Sequence, residues 1–138
     1  MKKLICLVLL LLNGCIARYK DISRLPEYSS LIGKHYVLTS DMYISGVNAP
    51  PGYGSEIDYY KISPIHPTWS GPELISRHIL STNNILTVKN IRKCTNCPFE
   101  DRIEAVVTTH PYIPAINDVP VRIRLKYLFS ADFAKQTD

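Results

Sequence analysis

Proline placement limits this chain more than any other feature. Seven of its ten prolines fall in three stretches, residues 48–55, 64–72 and 110–118. A proline inside a helix removes a hydrogen bond and clashes with the turn before it, and in a sheet it is confined to edges and bends. The runs between these stretches are short, so no long helix is expected. They carry strand chemistry instead, helped by nine tyrosines, a residue that favours half-buried pleated surfaces.

Residues 31–47 read as two short strands punctuated by Gly33, Ser40-Asp41 and Ser45-Gly46. Residues 56–63 place Ile57, Tyr59 and Lys61 on one face and Tyr60 and Ile62 on the other. Residues 73–80 fit two patterns. Ser70-Gly71-Pro72-Glu73 resembles a helix start, while Ile75, Arg77 and Ile79 alternate like a strand before the strong turn Ser81-Thr82-Asn83-Asn84; strand is favoured because the surroundings are strand-like. Residues 85–92 and 102–109 are apolar strands, and the compact polar link holding Cys94-Thr95-Asn96-Cys97-Pro98 makes them a hairpin. Residues 119–129 form the clearest alternation. Val119, Val121, Ile123, Leu125, Tyr127 and Phe129 share one face, opposite a basic stripe of Arg122, Arg124 and Lys126. The expected class is mainly β, a small antiparallel barrel or sandwich. The order of strand, tight Asn turn, strand ending at the CxxC, and further strand across residues 74–121 resembles bacterial SH3-like barrels, which implies a small barrel and adds no activity.

The start of the chain reads differently. Lys2 and Lys3 precede an uncharged run over residues 4–12, broken by Asn13-Gly14 and followed by Cys15. A run of that length matches the apolar core of a secretion signal, about 7–15 residues, and falls short of the roughly 20 that span a bilayer as a helix. Leu12-Asn13-Gly14-Cys15 resembles the lipobox of bacterial lipoproteins. That resemblance implies cleavage before Cys15, acylation of its thiol and firm membrane attachment through two or three chains, since each buried CH₂ contributes about 0.8 kcal/mol. With Ile16 after the anchor, it further implies sorting to the inner leaflet of the outer membrane where the source has one. The expected organisation is a signal peptide at 1–14, a lipidated N-terminus and tether at 15–30, one β-rich domain at 31–130 and a frayed C-terminus at 131–138.

Processing changes how composition reads. The formal charge of +4 falls to +2 once Lys2 and Lys3 leave, so charge alone makes no case for nucleic acid. Of four cysteines, Cys6 leaves and Cys15 carries lipid, which leaves Cys94 and Cys97 as an even pair in an oxidising compartment. A disulfide closing the hairpin turn is the favoured reading. A thiol–disulfide oxidoreductase is the alternative, but such sites put the first cysteine at a helix N-terminus, and Pro98 with no helical pattern follows here. No second CxxC or His pair completes a zinc set, and no nucleophile or phosphate-loop motif is present, so neither metal, cofactor nor catalytic residue is expected. His35, His66, His78 and His110 are scattered. Glu100, Asp101 and Glu104 read as a solvated hairpin end facing Arg92 and Arg102.

The candidate binding surface consists of Tyr59, Tyr60, Trp69 and Tyr112, in or beside the proline-rich loops with Tyr53, together with Arg122 and Arg124. The expected function is a non-catalytic binding or structural module of a cell envelope, with the membrane as one partner through acylated Cys15 and an envelope protein or wall polymer as another. An inhibitor or immunity-type lipoprotein is a further class.

Overall fold

A computed structural model describes residues 16–49 and 54–137. The signal stretch with Cys15, and Tyr53, lie outside these residues. The described chain is mainly β. Nine strands form one mixed sheet: β1 (Tyr19–Asp21), β2 (His35–Leu38), β3 (Met42–Val47), β4 (Tyr59–Pro64), β5 (Leu74–Leu80), β6 (Ile85–Cys94), β7 (Ile103–His110), β8 (Val121–Arg124) and β9 (Ala134–Thr137). Three single helical turns interrupt it: α1 (Pro26–Ser29), α2 (Pro114–Asn117) and α3 (Leu125–Leu128). Among the described residues no helix is long and apolar enough to cross a membrane.

The sheet order is β5-β3-β4-β8-β7-β6-β2-β9, with β1 on the far end of β6. All pairings are antiparallel except β4 with β8. This order forces the sheet to curl. β2 and β3 stand five strands apart, about 24 Å in a flat sheet. The link from Leu38 to Met42 spans only about 14 Å when fully extended. The link from β5 to β6 imposes the same bend. The two links meet: Thr82 donates its backbone N–H and hydroxyl to Asp41 Oδ1 at 2.7 and 2.9 Å, and Leu38 exchanges backbone bonds with Asn83 and Asn84. Asn83 takes the left-handed conformation, φ 71°, that such a tight turn requires. The sheet therefore curls as an expected barrel would, yet does not close: among the described residues the edge strands β5 and β9 each pair with one neighbour only, β3 and β2.

The inner face is one core. Leu38, Met42, Ile44, Ile62, Leu86, Val88, Ile91, Val121 and Ile123 are all at most 1% exposed. Gly46 lets β3 lie close to its neighbours; a Cβ there would fall 2.6 Å from both Ile57 Cδ1 and Ser76 Oγ.

Three expectations change. The proposed tether is part of the sheet: β1 pairs with the end of β6, Ile22 is buried, and Tyr28 and Leu31 pack against the core. The segment is polar, but it docks through backbone. Ile22 N–H donates to Ile91 O, and Ile91 N–H donates to Ser23 Oγ at 2.8 Å. The C-terminus does not fray across 131–137, since β9 pairs with β2 and buries Ala134. The long strand over 119–129 ends at Arg124. Glu104 is the last residue of β7 opposite β8, so the chain beyond has no such partner. It turns into α3, burying Leu125 and Leu128 at helical spacing and leaving Phe129 exposed. Lys126 thus leaves the basic stripe. Residues 74–80 are a strand, and the β6–β7 hairpin forms with the cysteines at its end.

Candidate functional site

Strand alternation sends every second side chain of β4, β8, β7 and β6 away from the core, onto the outer face. Sheet register then lines these side chains up across the strands. Lys61 lies opposite Arg122, Arg124 opposite Glu104, and Glu104 opposite Arg92. β1 adds Tyr19, and the segments around Asp58 and Trp69 add a second wall. The result is an outer-face cleft of about 820 Å³, lined by Tyr19, Tyr59, Lys61, Trp69, Arg92, Arg102, Glu104, Arg122 and Arg124, with Ile16, Ala17, Val47, Ala49, Asp58 and Glu73 at its margins. That volume is in the range of small-molecule sites, about 300–1,000 Å³.

Three of the five cations of the cleft rest on aromatic rings. Arg122 sits 3.7 Å from the Tyr59 ring centroid, Arg92 4.1 Å from that of Tyr19, and Lys61 4.6 Å from that of Trp69. Such stacking holds a cation in place from one side and leaves its hydrogen-bonding edge available.

Five cations and three carboxylates line the cleft. Glu104 and Asp58 are already engaged, and Glu73 acts on Lys61 electrostatically without reaching ion-pair distance. Glu104 accepts from Arg92 Nε and Nη2 on one oxygen, at 3.3 and 2.9 Å, and from the Tyr19 hydroxyl on the other, at 3.0 Å. Asp58 accepts from the Asn48 amide and the Ala49 backbone N–H. Arg102 and Arg124 turn to Glu100 outside the cleft. Lys61 and Arg122 remain. Among the described residues neither has a carboxylate within ion-pair distance, and Arg122 Nε is buried with no hydrogen-bond partner. Burial, with Arg124 and Arg102 nearby, holds the Lys61 amine below its ordinary pKa, and burial with Arg92 does the same to Arg122. Burial raises the Tyr59 phenol, against a smaller downward pull from Arg122.

The Cys94–Cys97 disulfide is formed. Its loop grips the chain's incoming end: Arg18 N–H donates to Asn96 Oδ1 at 2.7 Å, Asn96 Nδ2 donates to Ile16 O at 2.9 Å, and Thr95 N–H donates to Arg18 O at 2.8 Å. Cys94 is buried, and no helix begins at the pair. Neither feature suits a reactive thiol, which needs exposure and a stabilised thiolate.

Of the residues singled out from sequence, Tyr59, Trp69, Arg122 and Arg124 line the cleft. Tyr60 does not: it is 7% exposed and belongs to the core. Tyr112 is exposed outside the cleft. Glu104 is a buried, fully engaged carboxylate rather than part of a solvated hairpin end. The cleft residues that sequence reading did not place in the site are Tyr19, Lys61, Arg92 and Arg102. A usable signal existed for Lys61, which shares the Tyr59 face by simple alternation. Among the described residues no group of His, Cys, Asp and Glu is arranged to hold a metal ion. No family model, curated protein or solved structure matches the chain.

Proposed function

We propose that this chain is a lipid-anchored, non-catalytic binding module of a cell envelope and that the outer-face cleft is its ligand surface. The observation that carries the reading is Lys61 and Arg122, two partly buried cations paired in register that, among the described residues, have no carboxylate within ion-pair distance. A charge held out of water without a partner costs stability. A bound anion would remove that cost. The lipobox-like start supplies the anchor, and the oxidised Cys94–Cys97 pair suits a compartment outside the cytoplasm. The buried Cys94 and the absence of a helix at the pair favour a structural disulfide over an oxidoreductase site.

The anchor is tested by metabolic labelling with a radioactive fatty acid in a bacterial host. The wild-type chain takes up label and Cys15→Ser does not; label that persists in Cys15→Ser contradicts the anchor. The cleft is tested on purified full-length protein by isothermal titration with phosphate and carboxylate compounds. Binding that weakens in Arg122→Gln supports the reading, and identical binding by both proteins contradicts it.

A further inference from the structure

Three features of the molecule bear on what the cleft holds. The first is the unpaired cation pair. Lys61 and Arg122 are paired in register across the parallel β4–β8 pairing, with Arg124 and Arg102 acting on the first and Arg92 on the second. Each is fixed on an aromatic ring, and Arg122 Nε has no acceptor. A compact oxyanion between them would accept from the planar guanidinium and the ammonium together, the combination that recognises phosphate.

The second feature is position. Ile16 and Ala17, which directly follow Cys15, line the same cleft. Asn96 of the disulfide loop holds Ile16 there, and Cys15 is the residue before Ile16 in the sequence. The folding of the expected tether removes the spacer that would have lifted the domain off its membrane. The third feature is the surface around that point. Phe99, in the link that follows Cys97, is 105% exposed with a positive φ of 67°, and Ile16 is 52% exposed. A fully exposed phenyl ring two residues after Cys97, in the chain that leaves the loop holding Ile16, suits a surface that meets the headgroup layer.

We propose that the cleft binds the phosphate headgroup of an anionic phospholipid in the membrane that anchors the chain, with Lys61 and Arg122 contacting the phosphate and Phe99 entering the acyl boundary. This rests on the reading of the cleft as the ligand surface. The headgroup site itself uses none of the acyl chains, so it operates in unacylated protein.

The test uses full-length Cys15→Ser protein, which removes acylation from the experiment. Its co-flotation is measured with vesicles of phosphatidylglycerol mixed into phosphatidylcholine, and with phosphatidylcholine alone. Binding is expected only to the anionic vesicles. Arg122→Gln and Lys61→Met should each weaken it about tenfold, the factor given by losing a charge-assisted hydrogen bond of about 1.4 kcal/mol. Lys126→Gln removes the same charge from an exposed side chain outside the cleft and should leave binding within about twofold. Soluble sn-glycerol 1-phosphate should bind the cleft and compete with vesicles. Phe99→Ser should weaken vesicle binding and leave glycerol phosphate binding unchanged. Thermal unfolding of each variant confirms that it is folded. Equal weakening by Lys126→Gln and Arg122→Gln would reduce the effect to net charge and overturn the site. Glycerol phosphate binding without vesicle binding would make the ligand a soluble phosphate ester and overturn the membrane source. Failure of fatty-acid labelling would remove the anchor alone, since this experiment contains no acyl chain.

Discussion

Two faces of the same strands meet opposite fates. On β4 and β8, Tyr60, Ile62, Val121 and Ile123 point inward and are almost wholly buried. Their chain neighbours Tyr59, Lys61, Arg122 and Arg124 point outward into the cleft. Inward side chains hold the fold by leaving water. Outward ones sit half out of water as well, but three of them carry charge, and among the described residues Lys61 and Arg122 have no carboxylate within ion-pair distance. A sheet that needed its outer face only for solubility would leave these cations fully hydrated. Here they are stacked on rings and walled in by β1 and by the segments carrying Asp58 and Trp69.

The largest test of this contrast lies on the inner face. Ile62→Ala should cost about 2–5 kcal/mol by chemical denaturation, the range for emptying a buried isoleucine site. A loss under 1 kcal/mol would mean that the β4 inner face is not core.

Glu104→Gln is the next largest. It takes the carboxylate from Arg92 and weakens the acceptor for Tyr19, and should cost roughly 1–3 kcal/mol. Unchanged stability would show that the outer-face pair is a solvated contact, and the contrast between its satisfied and unsatisfied cations would disappear.

Lys61→Met should be close to neutral or raise stability by up to about 1 kcal/mol, because it removes a partly buried charge that faces Arg124 and Arg102 while keeping an apolar chain beside Trp69. A clear loss of stability would mean that Lys61 has a partner in the folded protein.

The smallest effect concerns neither face but the seam where the curl is tied. The Thr82 backbone N–H and then its hydroxyl hold the Asp41 carboxyl below its ordinary pKa. The unfolded chain therefore takes up a proton on Asp41 first as pH falls. The stabilisation is full above about pH 4 and is lost as pH drops through the lower folded value. The stability difference between wild type and Asp41→Asn should shrink steadily below pH 4. A difference independent of pH would show that the seam does not use the ionised carboxylate.

Much of the fold was legible because alternation is a local property. Tyr59 and Lys61 separate from Tyr60 and Ile62 by simple counting, and the proline stretches do bound the strands. The curl was not legible, since it follows from strand order: β3 sits beside β4 and β5 while β2 lies five strands away. The same gap hid the site. Lys61 faces Arg122 only because β4 pairs with β8 in parallel, and nothing in either segment announces that partner. Tyr60 was misplaced for a different reason. An aromatic beside a proline-rich loop has the same local signature whether it faces solvent or core, and only its strand phase, shared with Ile62, distinguishes the two. The supposed tether hid its strand because β1 is three residues long and docks by backbone bonds with one buried side chain, Ile22.

The central claim is that Arg122 and Lys61 wait for an anion. Its most direct measurement follows the arginine Nε–H resonances of full-length Cys15→Ser protein by nuclear magnetic resonance during titration with sn-glycerol 1-phosphate. The account predicts a saturable shift of Arg122 Nε–H, none at Arg77 outside the cleft, and loss of saturation in Lys61→Met. Arg122 unmoved, or all arginines shifting together without saturation, would contradict it.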